Sequence, residues 1–475
     1  MFNAPSLPTS LRLTTRAGAV LVIASIGAWT LVANAYAADE HRSAASSVVL
    51  ANGFKIGEAR EDTAIVWTRT TNDRAEGLPG EVRIVWWHEQ EEANLQETAW
   101  LATDREHDYT IQHRLTSLRA GSSYGLRVLS RPIPVAGAAS PQESCQIEGM
   151  FRTPPPTDVP AGATMVVSTC QDYPRRDDPL RGHLIYESML SAGRNGGKPD
   201  FFVHAGDILY YDRPSPFAHN VATARFKWNR MYALPLQRSF HEQVTSYFMK
   251  DDHDLLKDDC WPGQTYQDLT WDEGLAVYRE QVPAATPPYR TVRWGADLEV
   301  WLLEGREFRS PNTMPDGPQK TILGAEQLTW LEKTTAASNA TFKIVLSATP
   351  IIGPDRLDKN DNHANAGFSH EGKHLRTLLA ARKNLFIVCG DRHWQYTSID
   401  PATGLREYAC GPASDSHAGG FSADQRDPDK HRFLRIAGGF LSVSVDRPNN
   451  DPLLRFTHHA VDGTPVSTEK WGFRP

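Results

Sequence analysis

Four runs of apolar residues in this chain stop at polar clusters that carry thiol, carboxylate, phenol and imidazole groups. Thr164-Met165-Val166-Val167-Ser168-Thr169 gives way to Cys170-Gln171-Asp172, and Asp200-Phe201-Phe202-Val203-His204-Ala205 to Gly206-Asp207-Ile208-Leu209-Tyr210. Tyr247-Phe248-Met249 leads into Lys250-Asp251-Asp252-His253-Asp254, and Leu385-Phe386-Ile387-Val388-Cys389 into Gly390-Asp391-Arg392-His393. Hard cations take carboxylates, iron also accepts imidazole, phenolate and thiolate, and two ions a few ångströms apart need a bridging ligand. Asp207 is the leading bridge: it follows a buried run and a glycine, so the backbone can turn and leave both carboxylate oxygens facing a cleft. Asp391 and His393 stand two apart and point the same way from an extended end. His253, between Asp252 and Asp254, is either a ligand or a protonated donor held by a carboxylate and aimed at a leaving group. Cys170 is the cysteine assigned to an ion, and Asp172 has the spacing of a second ligand from that block. A single Gly-Asp reads best as a turn or cap; four clusters of one design reverse that reading.

For these ends to meet, the runs must be neighbouring strands of a layered α/β fold, in which functional side chains gather at the carboxyl edge. A fifth run, Phe342-Lys343-Ile344-Val345-Leu346, ends in Ser347-Ala348-Thr349-Pro350 and brings no ligand. Helical patterns at 183–192, 218–234, 270–281, 325–338 and 373–382 alternate with the strands, as a mixed fold requires. Stretches 439–445 and 454–459 are expected as the last strands. Upstream, residues 47–153 read as short strands, at 63–69, 81–87 and 124–129 among others. Leu118-Arg119-Ala120-Gly121-Ser122-Ser123-Tyr124 looks like the tyrosine corner of a fibronectin type III or immunoglobulin-like sandwich, a module expected to position rather than catalyse. Three successive prolines, Pro154 to Pro156, mark an extended linker at 154–161, and a catalytic domain is expected over 162–475.

The 475 residues carry a net charge of −7, so there is no broad basic surface for duplex nucleic acid. Residues 1–37 have the layout of a secretory signal: Arg12 and Arg16, an apolar stretch at 17–33, then Ala35-Tyr36-Ala37. The mature chain is expected to begin near Ala38, secreted or periplasmic, with no later segment long enough to span a bilayer. Five cysteines are too few for a disulfide scaffold and odd in number.

The four ligand-bearing blocks occur in the order, spacing and strand context of the calcineurin-like metallophosphoesterases. More narrowly they resemble the PhoD-type alkaline phosphatases and phosphodiesterases. Leu303-Glu304-Gly305-Arg306-Glu307-Phe308-Arg309 looks like that family's Asp-x-Arg-x-x-Arg block, and the sandwich ending in Phe151-Arg152-Thr153-Pro154 looks like the domain that precedes its catalytic one. The resemblance implies a four-layer β-sandwich flanked by helices, holding ferric iron and one or two calcium ions, with zinc or manganese the alternative on the same scaffold. It assigns Cys170 and Tyr210 to iron, Asp207 to the bridge, Asp252 to the position of the superfamily's Asn ligand, His253 to the catalytic His, and Asp391 and His393 to the last ligands. The superfamily's His on the fourth strand falls near Ala348, which binds no ion. The polar loop 358–363 could fill the gap, with Asn362 and His363 as substrate-binding candidates; Arg306 or Arg309 is the candidate phosphate clamp. The implied activity is hydrolysis of a small-molecule, lipid or nucleotide phosphate ester by metal-activated water, with His253, positioned by Asp252 or Asp254, as general acid. Phospholipase D-like or nucleotide phosphodiesterase chemistry would use the same centre. A non-catalytic secreted binding protein is the alternative from another class.

Overall fold

A computed structural model of the chain describes residues 47–473 apart from 138 and 357; the expected export signal lies outside the described residues. The apolar runs are strands. Ala163–Ser168, Phe201–Ala205 and Thr245–Met249 are buried at every position and pair in parallel, which is why they read as continuous apolar runs rather than alternating ones. Leu298–Leu302, Phe342–Ser347, Leu385–Cys389 and Arg406–Cys410 form a second parallel set. The first set is the centre of a nine-stranded sheet and the second of a seven-stranded one. One face of each strand, through Met165, Val203, Tyr247, Val300, Ile344 and Val388, fills a core shared by both sheets. The alternate residues point outward under helices. Val166 and Phe202 meet Ile185 and Met189 of the helix Ile185–Met189. Trp301, Val345 and Ile387 meet Leu331 of Gly324–Ala337 and Leu375 of Ser369–Ala380. The layers are therefore helix, sheet, sheet, helix.

The nine-stranded sheet extends past its parallel centre on both sides. On one side lie Phe440–Asp446, Leu453–His459 and, beyond the two last strands expected, Pro465–Gly472. That strand alternates exposed and half-buried residues and starts on a proline, as an outer strand tolerates. On the other side Phe54–Gly57 joins through Gly57 opposite Ser246, followed by Ala64–Arg69 and Thr110–Leu115. These three strands pack, through Ile56, Val66 and Leu115, on Ile84, Leu126 and Val128 of a separate five-stranded sheet. The N-terminal sandwich thus shares one of its sheets with the catalytic part of the chain. The Tyr124 hydroxyl accepts the Arg119 N–H at 2.7 Å and closes the corner expected of it.

The helix expected at 218–234 is Val221–Tyr232, begun by Asn220, whose side chain accepts the Thr223 N–H at 3.0 Å. A second helix, Pro235–His241, starts at Pro235, where a fixed φ and a missing N–H suit a first turn. No helix among the described residues is long and apolar enough to cross a membrane.

Candidate metal centre

The carboxyl edges of the two parallel sets meet. Ligand atoms of Cys170, Asp207 and His393 lie within 4.8 Å of one another, as do those of Asp207, Asp251 and Asp391, and those of Asp207, Asp252 and His253. Asp207 belongs to all three groups. The Tyr210 hydroxyl donates to Asp207 Oδ2 at 3.1 Å and lies 3.3 Å from His393 Nε2, while Cys170 Sγ sits 3.4 Å from Asp207 Oδ2. Cys170, Asp207 and the Asp251–His253 stretch come from the nine-stranded sheet, Asp391 and His393 from the seven-stranded one.

The backbone is bent to present these groups. Cys170, Asp207 and Asp391 have φ of +53°, +54° and +59°, a left-handed conformation that costs a non-glycine residue on the order of 1–3 kcal/mol. Three such residues, each just after a strand, hold their side chains in the cleft at that expense. Glycines supply the close approach: a Cβ at Gly206, φ +93°, would lie 2.8 Å from Asp251 Cβ, and one at Gly390 would lie 2.6 Å from Ala205 O and 2.7 Å from Thr169 Oγ1.

Arg306 pairs with Asp251 and faces Asp252, and Arg392 contacts Asp391, while no Arg or Lys among the described residues forms an ion pair with Asp207. Burial pushes the Asp207 carboxyl well above its usual range; His253 opposes this, and Asp252, Asp251 and Asp254 add to it. Burial likewise raises Asp251 to about 6 against the pull of Arg306, and raises the Cys170 thiol, with Asp207 adding to the effect. His393 is pushed down by burial and then by His417, so it is a neutral donor. Asp207 Oδ1 and Asp251 Oδ2 are buried and accept no hydrogen bond among the described residues, a costly state for a carboxylate oxygen without a cation. The donor set fits ions: thiol, phenol and imidazole beside Asp207 suit iron, and the all-carboxylate group Asp207, Asp251 and Asp391 suits an oxygen-seeking cation.

His253 is not held by its chain neighbours. Its Nδ1 lies 2.7 Å from Asp212 Oδ1. Burial pulls the imidazole pKa down, but Asp252, Asp207 and Asp212 outweigh it and keep the ring protonated well above its usual range. Asp254 instead accepts the Asp251 and Leu209 N–H groups at 2.8 and 3.1 Å and caps the turn. Asp252 accepts the Asp259 N–H and faces Arg306. Asp172 is buried beside Arg175, 3.5 Å away, and joins none of the ligand groups.

The expected substrate residues are also placed differently. Arg306 is 1% exposed and spends its guanidinium on Asp251 and the Cys260 carbonyl. Arg309 is buried and bonds the Asp361 carbonyl. Asn362 donates to Asp355 and Asp361 at 2.7 and 3.2 Å, and His363 Nε2 lies 3.2 Å from Glu371 Oε2. All four are buried, and Arg306 Nη2, Arg309 Nε and Nη1 and His363 Nδ1 make no hydrogen bond among the described residues. Arg306→Ala should therefore lower stability by about 3–5 kcal/mol in chemical denaturation, because it strands a buried carboxylate. Unchanged stability with a raised KM would restore the clamp.

Two residues that sequence reasoning did not single out complete the centre. Asp212 sits five residues beyond Asp207, where a carboxylate reads as an ordinary turn. His417, in the loop after Arg406–Cys410, packs against His393 with ring centroids 4.1 Å apart and the rings tilted by 45°. Its Nδ1 lies 2.9 Å from the Cys170 carbonyl, and its buried Nε2 has no hydrogen-bond partner among the described residues. A concavity of about 1360 Å³ elsewhere in the molecule is lined by Arg194, Ser442, Arg455 and Lys470 among others and contains none of these residues.

The sequence profile of the PhoD-like phosphatases matches residues 165–435, and that of the PhoD-like phosphatase N-terminal domain matches residues 35–155. A search of the curated proteins finds no match. Among solved structures, that of PhoD aligns with a TM-score of 0.70 over 89% of this chain and 90% of its own, at 14% identity. The purple acid phosphatase PPD1 from yellow lupin (Lupinus luteus) seeds aligns at 0.62 over 88% and 73%, also at 14% identity. At such identities the likeness speaks for the fold. Fold, ligand groups and profile together define a metal-dependent phosphoester hydrolase of the metallophosphoesterase class. The chain belongs to the PhoD-like phosphatase family.

Proposed function

We propose that the chain is a secreted alkaline phosphatase or phosphodiesterase whose cleft holds ferric iron on Cys170, Tyr210, His393 and Asp207, and calcium on Asp207, Asp251, Asp252 and Asp391. The observation that carries this reading is the sharing of Asp207 by three ligand groups. When bound, such ions supply Lewis acidity, making water acidic enough to attack phosphorus near neutral pH and neutralising phosphoryl charge. The protein does the rest. Asp212 fixes a proton on His253 Nδ1 and leaves Nε2 to protonate the departing alkoxide. Tyr210, whose ring centroid lies 4.3 Å from that of His253, limits the rotation of the imidazole. His417 supplies a further imidazole beside His393 and Tyr210.

Elemental analysis and a visible spectrum of the same sample test the metal assignment. Iron with calcium and a phenolate-to-iron absorption band is expected; colourless, iron-free and fully active protein would instead favour zinc or manganese. Turnover of a panel of mono- and diesters should vanish with a chelator and return on reloading. No turnover of any phosphate ester would support the inert binding protein. The export signal predicts a mature N-terminus near Ala38.

A further inference from the structure

We infer that the rim of the cleft beside Tyr210 is an anion subsite centred on Arg213, and that the preferred ester carries a second negatively charged group besides its scissile phosphate. This rests on the hydrolase reading above and names the class of substrate for it.

The arginines of the expected clamp, Arg306 and Arg309, are buried, Arg306 against Asp251 and Arg309 against the Asp361 carbonyl, and Arg306 Nη2 and Arg309 Nε and Nη1 make no hydrogen bond among the described residues. Arg213 is exposed and directly follows Asp212, the residue that holds His253. Its guanidinium carbon lies 6.0 Å from the centroid of the Tyr210 ring, the ring whose hydroxyl meets Asp207 and His393. Its backbone is anchored: the buried Lys227 ammonium donates to the Tyr210 carbonyl and, at 2.7 Å, to the Arg213 carbonyl. Its side chain makes no ion pair or hydrogen bond among the described residues.

Two further arginines continue the rim. The Arg176 and Arg230 guanidiniums lie 4.0 and 4.2 Å from the Tyr173 ring centroid, and Arg230 lies 5.4 Å from that of Phe226. Arg230 donates to the Ser215 carbonyl, which ties this ladder to the loop that carries Arg213. Arg176 donates only to backbone carbonyls, of Tyr173 and Pro179. None of the three makes an ion pair among the described residues, although Asp172 interacts with Arg213 and Arg230 and Asp178 with Arg176 at longer range, whereas Arg175, Arg306 and Arg392 are directly paired. Held by aromatic rings and carbonyl oxygens, they keep their positive charge available to an anion. The scissile phosphate already has its neutralising partners in the ion cluster, so this charge is left for another group of the substrate.

A charge series of diesters tests this with the leaving group held constant: 4-nitrophenyl phosphates whose second ester group is choline, ethyl or 2-sulfoethyl. In the metal-loaded protein kcat/KM is expected to rise along that order, by about tenfold from ethyl to sulfoethyl, chiefly through KM. Added salt should compress the series. Arg213→Ala and Arg230→Ala should each flatten it, and Arg213→Lys should keep part of it. A flat series in the wild type overturns the inference, and so does a slope undiminished in both alanine variants. The salt titration on the wild type decides the case where a variant fails to fold: a slope unaffected by salt overturns the inference. If none of the three diesters is turned over, the monoester 4-nitrophenyl phosphate decides: no turnover of it either brings down the hydrolase reading and this inference with it, and turnover of the monoester alone overturns this inference. A flat series with turnover removes the inference alone.

Discussion

Asp207→Asn lowers kcat/KM by about 10³-fold or more, equivalent to about 4 kcal/mol of transition-state stabilisation, and strips the protein of bound metal. The carboxylate is common to the three ligand groups above and has one oxygen with no hydrogen-bond partner among the described residues. An amide of the same shape keeps the Tyr210 contact but supplies neither the charge nor the second oxygen donor. The substitution also separates ion binding from folding. Burial makes the Asp207 charge a liability to the protein alone, and Asp252, Asp251 and Asp254 add to it, so in chelator the variant should be at least as stable as the wild type. Elemental analysis, steady-state kinetics and denaturation in chelator check the three parts. Full activity, or an equal loss of stability in chelator, would assign Asp207 to packing instead.

The second large effect falls on His253. His253→Ala should reduce kcat for alkyl phosphate esters by ~10²–10⁴-fold, the range for loss of a positioned general acid. For 4-nitrophenyl esters, whose leaving group departs without protonation, the loss should stay under about tenfold. Asp212→Asn should fall between wild type and His253→Ala, with about a 10–100-fold loss on alkyl esters. It keeps a group at 2.7 Å from Nδ1 but removes the negative charge that helps hold the imidazole protonated. Equal losses on alkyl and nitrophenyl esters would assign His253 to ion binding rather than proton donation.

Much of this architecture is legible in the residues. The buried runs 163–168, 201–205, 245–249, 342–347 and 385–389 announce parallel strands because both their faces are covered. The groups that end them meet because parallel strands bring their carboxyl ends to one edge. Local chemistry also marks the tyrosine corner at Tyr124. What sequence does not carry is set by distant contacts. Asp212 orients His253 across 41 positions, and His417 reaches Cys170 across 247, with nothing in either neighbourhood to signal a partner. Nearby residues mislead in the same way: Asp254 stands next to His253 yet caps a turn, and Arg306 matches a motif yet pairs with buried Asp251. The joining of Phe54–Gly57 to the catalytic sheet is a pairing between residues 57 and 246, outside the reach of periodicity. Left-handed backbone at Cys170, Asp207 and Asp391 is invisible in residue type, since none is glycine.

The central claim is that groups from two sheets share ions across Asp207. A crystal of the metal-loaded protein, with anomalous scattering recorded at the iron edge and away from it, tests this most directly. The account predicts peaks ~2.0–2.6 Å from Asp207 that also contact Cys170, Tyr210 and His393 on one side and Asp251 or Asp391 on the other. Anomalous peaks elsewhere in the molecule, with those side chains bonded only to one another, would contradict it.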